Sequence, residues 1–174
     1  EYTLRASHLS DNFGEEKNPD WKVLAWNEKT DSLMLPNGSI GFRWDGSQKW
    51  NLETKAQDDQ DVQAALSLKN YADDVVRVGF DYFGGEFDEE KTFRKVPVKR
   101  ITLADGSSQL VATVFDLLVA QYGVDNGLGD ENVAKDYFDD KPYTPKWQEK
   151  HTGVPAERVI QVAREFGQNA HDTK

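Results

Sequence analysis

The chain has 174 residues, enough for a single domain with a sizeable core, and its nine Phe, six Tyr and five Trp can bury large areas. Its formal net charge of -10 disfavours a nucleic-acid-binding protein, which normally presents a basic surface. Without cysteine it cannot form disulfides, thiolate zinc sites or cysteine-ligated iron–sulfur clusters. No apolar run has the length of a membrane span, and Glu1 in place of an initiator Met predicts a processed or excised chain.

Up to residue 112 the sequence predicts short strands separated by turns. Asn27–Thr30 and Pro36–Gly38 are turn signals, and Asp105-Gly106 between two alternating apolar runs predicts a hairpin. Pro97 lies inside one strand candidate, which predicts an edge strand or a bulge, because proline has no backbone N–H to donate. The candidate strands are Trp21–Trp26, Ser32–Leu35, Ser39–Trp44, Val62–Leu68, Val75–Tyr82, Lys95–Leu103 and Gln109–Val114.

From residue 113 helical patterns dominate. Thr113 with Asp116 three residues later is a variant of the capping box, and Gly123 can end the helix that follows. An irregular acidic connection is expected from Asp125 to Asp140. Leu117, Leu118 and Tyr122 would form the apolar stripe of this helix.

A helix hairpin is predicted near the end of the sequence. Thr144-Pro145 can open its first helix and Gly153 can close it, because glycine adopts the left-handed conformation without strain. Pro155 opens the second helix. The apolar residues of the second helix repeat at helical spacing: Ala156, Val159, Ile160, Ala163, Phe166 and Ala170. Such a hairpin is expected to pack on something larger.

These elements predict an α+β fold. We expect one domain over residues 1–174, with a β-rich part at 1–112, built from short antiparallel strands, and a helical part at 113–174.

No candidate catalytic or metal site emerges from the polar residues. His8, His151 and His171 lie far apart in sequence and lack convergent partners, so structural roles are expected, with His151 and His171 near helix C-termini. The acidic runs Asp58–Asp61 and Asp88–Glu90 lack the central Gly and distal Glu of a calcium loop, and solvated loops are expected instead.

The glycine and tryptophan clusters are equally weak as site signals. Gly38–Gly41 is neither a phosphate-binding loop nor a dinucleotide fingerprint, and Gly79 with Gly84-Gly85 favours close backbone packing over a cofactor contact. Aromatic residues crowd the first fifty positions, where they predict a β-rich core and, as an alternative, a platform for a glycan or other planar ligand. The tryptophans are Trp21, Trp26, Trp44 and Trp50, and the platform alternative would add Phe42 and, from later in the sequence, Phe80.

A set of longer motifs does resemble a known family. The segments occur in order as PNGSIGFRW (Pro36–Trp44), KWNLE (Lys49–Glu53), VGFDYFGG (Val78–Gly85), PVKRITLADGS (Pro97–Ser107), TVFDLLVAQYG (Thr113–Gly123) and YTPKWQEKHTGV…AREF (Tyr143–Phe166). The last motif alone is similar to the wider molybdopterin oxidoreductase superfamily. Together they resemble an interior segment of the catalytic α chain of bacterial or archaeal membrane-bound respiratory nitrate reductase, over nearly all 174 residues.

The resemblance implies a parent enzyme that reduces nitrate to nitrite at a molybdenum centre. It implies that the parent α chain carries a molybdenum bis-molybdopterin guanine dinucleotide and one [4Fe-4S] cluster. Its implied partners are an iron–sulfur β subunit and a haem-containing membrane γ subunit that oxidises quinol. The implied location is the cytoplasmic face of the membrane, or the outer face in some archaea, without direct membrane insertion of this segment.

The same resemblance assigns no site residue here. The family's cluster ligands and its aspartate ligand to molybdenum precede this segment, so no catalytic or metal residue is predicted, cofactor contacts stay unknown, and the segment alone is expected to be inactive and to hold no cofactor. We expect the Val159–Phe166 helix face to be buried against the remainder of the α chain, so that Ile160→Asp disrupts assembly of the parent. The alternative is a stand-alone Trp-rich binding module without enzymatic activity.

Overall fold

A computed structural model describes residues 3–37, 55–56, 63–81 and 91–173 of the chain. In these residues the strands lie mostly in the N-terminal part and the three α-helices all follow residue 113. The α+β prediction is therefore confirmed. The described strands are β1 (Ala25–Asn27), β2 (Ser32–Met34), β3 (Pro36–Asn37), β4 (Lys55–Ala56), β5 (Asp74–Phe80), β6 (Thr92–Thr102) and β7 (Ser108–Val111). The helices are α1 (Val114–Gln121), α2 (Pro145–Thr152) and α3 (Ala156–Asp172).

The strands pair into small sheets. β1 pairs with β2 and β3 with β4, both antiparallel, whereas β5, β6 and β7 form one sheet in that order. The β1–β2 hairpin matches the turn predicted at Asn27–Thr30. The predicted turn at Pro36–Gly38 is wrong at its first two residues, because Pro36 and Asn37 belong to β3. Gly38 lies outside the described residues.

The hairpin predicted at Asp105-Gly106 is confirmed. β6 and β7 run antiparallel, with Thr102 opposite Ser108. Gly106 has φ 81°, a left-handed conformation that glycine adopts at little cost. The Asp105 carboxylate accepts hydrogen bonds from the backbone N–H and the hydroxyl of Ser107, at 2.9 and 2.6 Å. The turn is thus specified locally by its own side chains.

Pro97 does not lie in an edge strand, because β6 is the middle strand of its sheet. The pairing of β6 with β7 begins only at Lys99, so Pro97 lies in the part of β6 that β7 does not cover. The lack of a backbone N–H at Pro97 therefore removes no hydrogen bond between β6 and β7.

Three other strand predictions fail in part. The Gln109–Val114 candidate is a strand only as far as Val111, the end of β7, and Val114 begins α1. Trp21 ends a short 3₁₀ turn (Pro19–Trp21), and only the last two residues of the Trp21–Trp26 candidate join β1. Of the Val62–Leu68 candidate, Ala64 forms an isolated bridge with Asn27, and the other described residues form no strand. A short apolar run needs a partner strand, and its periodicity alone does not supply one. The Ser39–Trp44 candidate lies outside the described residues.

The predicted caps of the α2–α3 hairpin are confirmed. The Thr144 hydroxyl accepts a hydrogen bond from the backbone N–H of Trp147 at 3.0 Å, which satisfies one of the donors that a helix start leaves unpaired. Gly153 follows α2 with φ 72° and donates its backbone N–H to the carbonyl of Glu149. α3 begins directly after Pro155. Residues 122–144, between α1 and α2, contain no helix or strand apart from a bridge between Val124 and Ala134.

The chain divides into two compact units. The first is drawn from Glu1–Asp74 and Pro97–Thr113, and the second from Val75–Val96 and Val114–Lys174. The first unit buries Ala6, Leu9, Met34, Leu35, Leu68, Val98 and Ile101, and the second buries Val96, Ala120, Val133 and Ala156. The prediction of a single domain over residues 1–174 stays a prediction.

Candidate functional site

The three histidines do not converge on a site. His8 accepts a hydrogen bond from the backbone N–H of Arg5 within a 3₁₀ turn. His151 lies in the last turn of α2 and His171 in the last turn of α3, as expected from sequence. Across the described residues, no group of three or more His, Asp or Glu is arranged to hold a metal ion. The acidic runs Asp58–Asp61 and Asp88–Glu90, with Gly38–Gly41 and Gly84-Gly85, fall outside those residues.

The tryptophan-rich region is described only in part. The Trp21 side chain is 74% exposed, so the expectation that it anchors a core is wrong. Trp26 is half-buried; its indole N–H donates to the Asp31 carboxylate at 3.0 Å, and the Lys99 ammonium lies 4.5 Å from its ring centroid. This cation–π contact engages the ring face that a ligand platform would need. Trp44, Trp50 and Phe42 lie outside the described residues.

The most deeply buried polar side chain of the second unit is Arg94, on β6, which is 1% exposed. Its guanidinium donates to the backbone carbonyls of Ala120 and Gln121 at 3.0 and 2.8 Å, and to that of Asn132 at 3.0 Å. Arg94 thereby satisfies carbonyls at the end of α1 that have no partner within the helix. Burial lowers the pKa of Arg94, but an arginine stays charged, and its charge favours the C-terminal end of the helix dipole.

Gly123 allows this arrangement. It has φ 66°, and a Cβ atom at this position would lie 2.9 Å from the Arg94 guanidinium. Both its conformation and its closeness to a buried charged group therefore require glycine.

Asp130 is a second buried polar group, 7% exposed. Its carboxylate accepts hydrogen bonds from the backbone N–H groups of Lys95 and Asn132, at 2.6 and 3.0 Å. Burial opposes its ionisation, but these two donors and the charges of Arg77 and Lys95 hold the pKa of Asp130 below its usual value. Asp130 is thus ionised and ties the irregular residues to β6.

Two lysines complete what we call the carbonyl-binding network, formed by Arg94, Lys95 and Lys141. The Lys95 ammonium donates to the carbonyls of Leu128 and Gly129, and that of Lys141 donates to those of Glu131 and Val133. A segment without helix or strand must satisfy its backbone groups elsewhere, and here side-chain cations do so. The network fixes the course of residues 122–144.

Four aromatic rings of the second unit contact one another in a row, in T-shaped or tilted pairs. The Tyr122 and Tyr143 centroids lie 5.3 Å apart, those of Tyr143 and Trp147 5.5 Å, and those of Trp147 and His151 4.4 Å. Tyr143 has φ 72°, a conformation that costs a non-glycine residue about 1–2 kcal/mol. The rings of Tyr122 and Trp147 flank Tyr143, which directly precedes the Thr144 cap of α2.

The apolar side of α3 is largely open to solvent in this structure. We call the stripe of Val159, Ile160, Ala163, Phe166 and Ala170 the α3 apolar face. Phe166 is 77% exposed, and Ala156 is the one buried residue of the helix. The stripe lies along one side of the helix, with Glu157, Gln161 and Glu165 on the opposite side.

α1 has the reverse of the usual arrangement. Its buried side chains are Asp116, 2% exposed, and Ala120, 1% exposed, one helical turn apart. The large apolar side chains point the other way, and we call them the α1 outer face: Val114, Phe115, Leu117 and Leu118, with Tyr122 just past the helix end. They are 72, 41, 38, 45 and 51% exposed. The predicted apolar stripe exists, and apart from the contact between the Tyr122 and Tyr143 rings the described residues leave it exposed.

Sequence reasoning missed Arg94 and Asp130. A signal for Arg94 was present, because it lies two residues before Val96 in a strand and so points to the same side as that buried valine. Asp130 had no comparable signal, since its donors are backbone groups of a strand 35 positions earlier in sequence. None of the described helices has the length and apolar character to cross a membrane.

The known proteins that are similar to this chain are all named as nitrate reductase α chains or subunits. No protein-family model matches the sequence. The chain is 46% identical over 179 residues to the respiratory nitrate reductase 1 alpha chain of Escherichia coli strain K12, and 47% identical over 178 residues to the respiratory nitrate reductase 2 alpha chain of that organism. It is 39% identical over 170 residues to the nitrate reductase alpha chain of Bacillus subtilis strain 168. These alignments span 97–98% of this chain but 14% of each relative.

Proposed function

Because the chain belongs to the family of respiratory nitrate reductase α chains, we propose that it is a structural, non-catalytic segment of such an α chain. The single observation that carries the proposal is the alignment, which covers 98% of this chain at 46% identity and 14% of the relative. A match of this extent at one continuous stretch of a much longer chain indicates a segment that keeps its fold within the larger enzyme.

The proposed parent reduces nitrate to nitrite at a molybdenum bis-molybdopterin guanine dinucleotide. Electrons from quinol reach the α chain through the β and γ subunits at the membrane, on its cytoplasmic face or, in some archaea, its outer face. The residues of this chain do not fit the parent's [4Fe-4S] group, because the sequence has no cysteine. Nor do the described residues offer a cluster of metal-binding side chains. We propose that the reaction takes place in other parts of the α chain.

The contribution proposed for this segment is packing. Val159 and Ile160 of the α3 apolar face are half-buried, but Ala163, Phe166 and Ala170 are exposed, although an amphipathic helix normally buries such a stripe. We assign the remainder of the α chain as its cover. Phe166 is the expected anchor, because a large aromatic ring that moves from solvent into an apolar contact contributes most of the free energy of docking.

The first test is the size and content of the native gene product. Membranes from nitrate-grown cells are fractionated, and peptides of this sequence are identified by mass spectrometry. The proposal predicts that they occur in a band far heavier than 19.8 kDa that also contains molybdenum and reduces nitrate. A native species near 19.8 kDa would contradict it and favour the binding module.

The second test separates the packing role from the family assignment. In the full-length α chain, Phe166→Asp is expected to lower the yield of molybdenum-loaded enzyme, because it places a carboxylate in an apolar contact. Gln161→Asp is the matched control, since Gln161 lies on the opposite side of the same helix. Ile160 is half-buried within this chain, so Ile160→Asp also disturbs the α2–α3 hairpin and is the less specific variant. Equal yields from Phe166→Asp and Gln161→Asp would refute the packing role and leave the family assignment untouched.

A further inference from the structure

The α1 outer face differs from the α3 apolar face in one respect that bears on its occupant. α3 alternates its stripe with a charged side, whereas Val114–Val124 contains a single charged residue, Asp116, and that residue is 2% exposed. In the whole chain 30% of residues are charged. A helix that is apolar nearly all round is normally buried on all sides. One side of α1 is already packed, through Asp116 and Ala120.

We propose that the α1 outer face is a second docking surface, independent of α3, and that a further part of the same α chain covers it permanently. This inference rests on the proposed function for the existence of that longer chain. The relatives are long enough to contain such a cover, because this chain matches only 14% of each. The absence of exposed charge on the α1 outer face favours a permanent interface. Permanent interfaces are apolar, like a protein core, whereas transient ones keep a polar composition.

The position of the surface adds a mechanical reason. α1 ends at the carbonyls of Ala120 and Gln121, which Arg94 holds, so the carbonyl-binding network fixes the orientation of the helix from the inside. A cover on the outer face would then contact a rigid helix, and little conformational entropy would be lost on docking. The α1 outer face is therefore preformed.

The identity of the cover is tested by photo-crosslinking in the native enzyme. A photoreactive amino acid replaces Val114, which is 72% exposed, in the full-length α chain. The predicted product is an internal cross-link to a peptide of the same α chain outside these 174 residues. A cross-link to another subunit or to a second copy of the chain overturns the proposal. Reaction of the photoreactive group with water alone, without any cross-link, also overturns it.

The energetic role of the surface is tested by a matched pair of substitutions. Leu118 is 45% exposed within the α1 outer face, and Leu66 is 63% exposed in a loop of the first unit, away from α1 in sequence. Leu118→Asp is expected to reduce the yield of assembled, molybdenum-containing enzyme about tenfold or more, since a buried unpaired carboxylate is costly. Leu66→Asp is expected to leave the yield unchanged, and Leu118→Met should restore it. Equal yields for the two Asp variants contradict the proposal.

Failure of this inference is distinguishable from failure of the proposed function. If the native protein lacks molybdenum and nitrate reduction, the proposed function fails, whatever the cross-link shows. If the wild-type enzyme is active and loaded but Val114 cross-links elsewhere, only the second docking surface is refuted.

Discussion

Two parts of the second unit are stabilised in opposite ways. The irregular residues 122–144 have no helix or strand, yet cationic side chains of this chain bind their backbone groups: the buried Arg94 and the half-buried Lys95 from β6, and the half-buried Lys141 from the segment itself. α3 has a complete helical hydrogen-bond pattern, yet nearly all its side chains are exposed. Regular secondary structure is thus a poor guide to which residues are stabilised by contacts within this chain. Side-chain hydrogen bonds to the backbone are the better guide here.

The largest effect in this comparison is expected at Arg94. Arg94→Met removes every guanidinium donor and leaves the carbonyls of Ala120, Gln121 and Asn132 buried without this partner, so the free energy of local opening of residues 120–133 should fall by about 3–5 kcal/mol. Hydrogen exchange of those amides in the full-length protein measures it.

The matched control is Arg158→Met, on the exposed side of α3. It should change local stability by less than about 0.5 kcal/mol. Comparable exchange in the two variants would mean that the carbonyl-binding network does not stabilise the irregular residues.

Two glycines, one next to Arg94 and one between α2 and α3, allow the same comparison. Gly123 and Gly153 both have left-handed φ, 66° and 72°, but a Cβ at Gly153 would meet nothing within 4 Å. Gly153→Ala should therefore cost about 1 kcal/mol, from the backbone conformation alone. Gly123→Ala should cost about 3 kcal/mol, because it also displaces the buried Arg94 guanidinium.

Exchange of the amides next to each glycine gives both values. An equal cost at the two positions would show that Arg94 can move away freely, contrary to its burial.

A smaller, pH-dependent effect is expected at Asp130. Its pKa is lowered in the folded protein, so its stabilising contribution is present above the unfolded pKa of about 4 and is lost as the pH falls through the folded value. Asp130→Asn should cost about 1–2 kcal/mol of local stability at neutral pH.

The difference between wild type and Asp130→Asn should shrink as the solution is acidified below about pH 4. Hydrogen exchange of residues 128–133 across that range follows it. A difference that is constant with pH would show that the carboxylate charge has no role.

Features set by neighbouring residues could be predicted from the sequence. The Asp105–Ser107 turn, the Thr144 cap and the left-handed Gly153 each depend on contacts within about four positions, and all three are present as predicted. The Val62–Leu68 candidate failed because a strand needs a partner that periodicity does not identify. Arg94 was missed for a related reason: its acceptors lie 26 to 38 positions away.

The two docking surfaces could be predicted from the sequence only in part. The α3 apolar face and the α1 stripe were both visible as apolar residues at helical spacing. Sequence alone did not show that the described residues leave most of these side chains exposed, because exposure depends on how the chain packs around them. Phe166 is expected to be buried against the remainder of the α chain; it is 77% exposed in this structure, and its burial in the parent stays a prediction.

The most direct test of the account is the solvent accessibility of Phe166 in the proposed parent enzyme, purified in its native form. Hydroxyl-radical labelling followed by mass spectrometry compares its modification rate in the assembled enzyme with that in the denatured chain. We predict strong protection of Phe166 in the enzyme, although it is 77% exposed when this chain is considered alone. Modification of Phe166 at the rate of the denatured chain would contradict the claim that α3 docks on the remainder of the α chain.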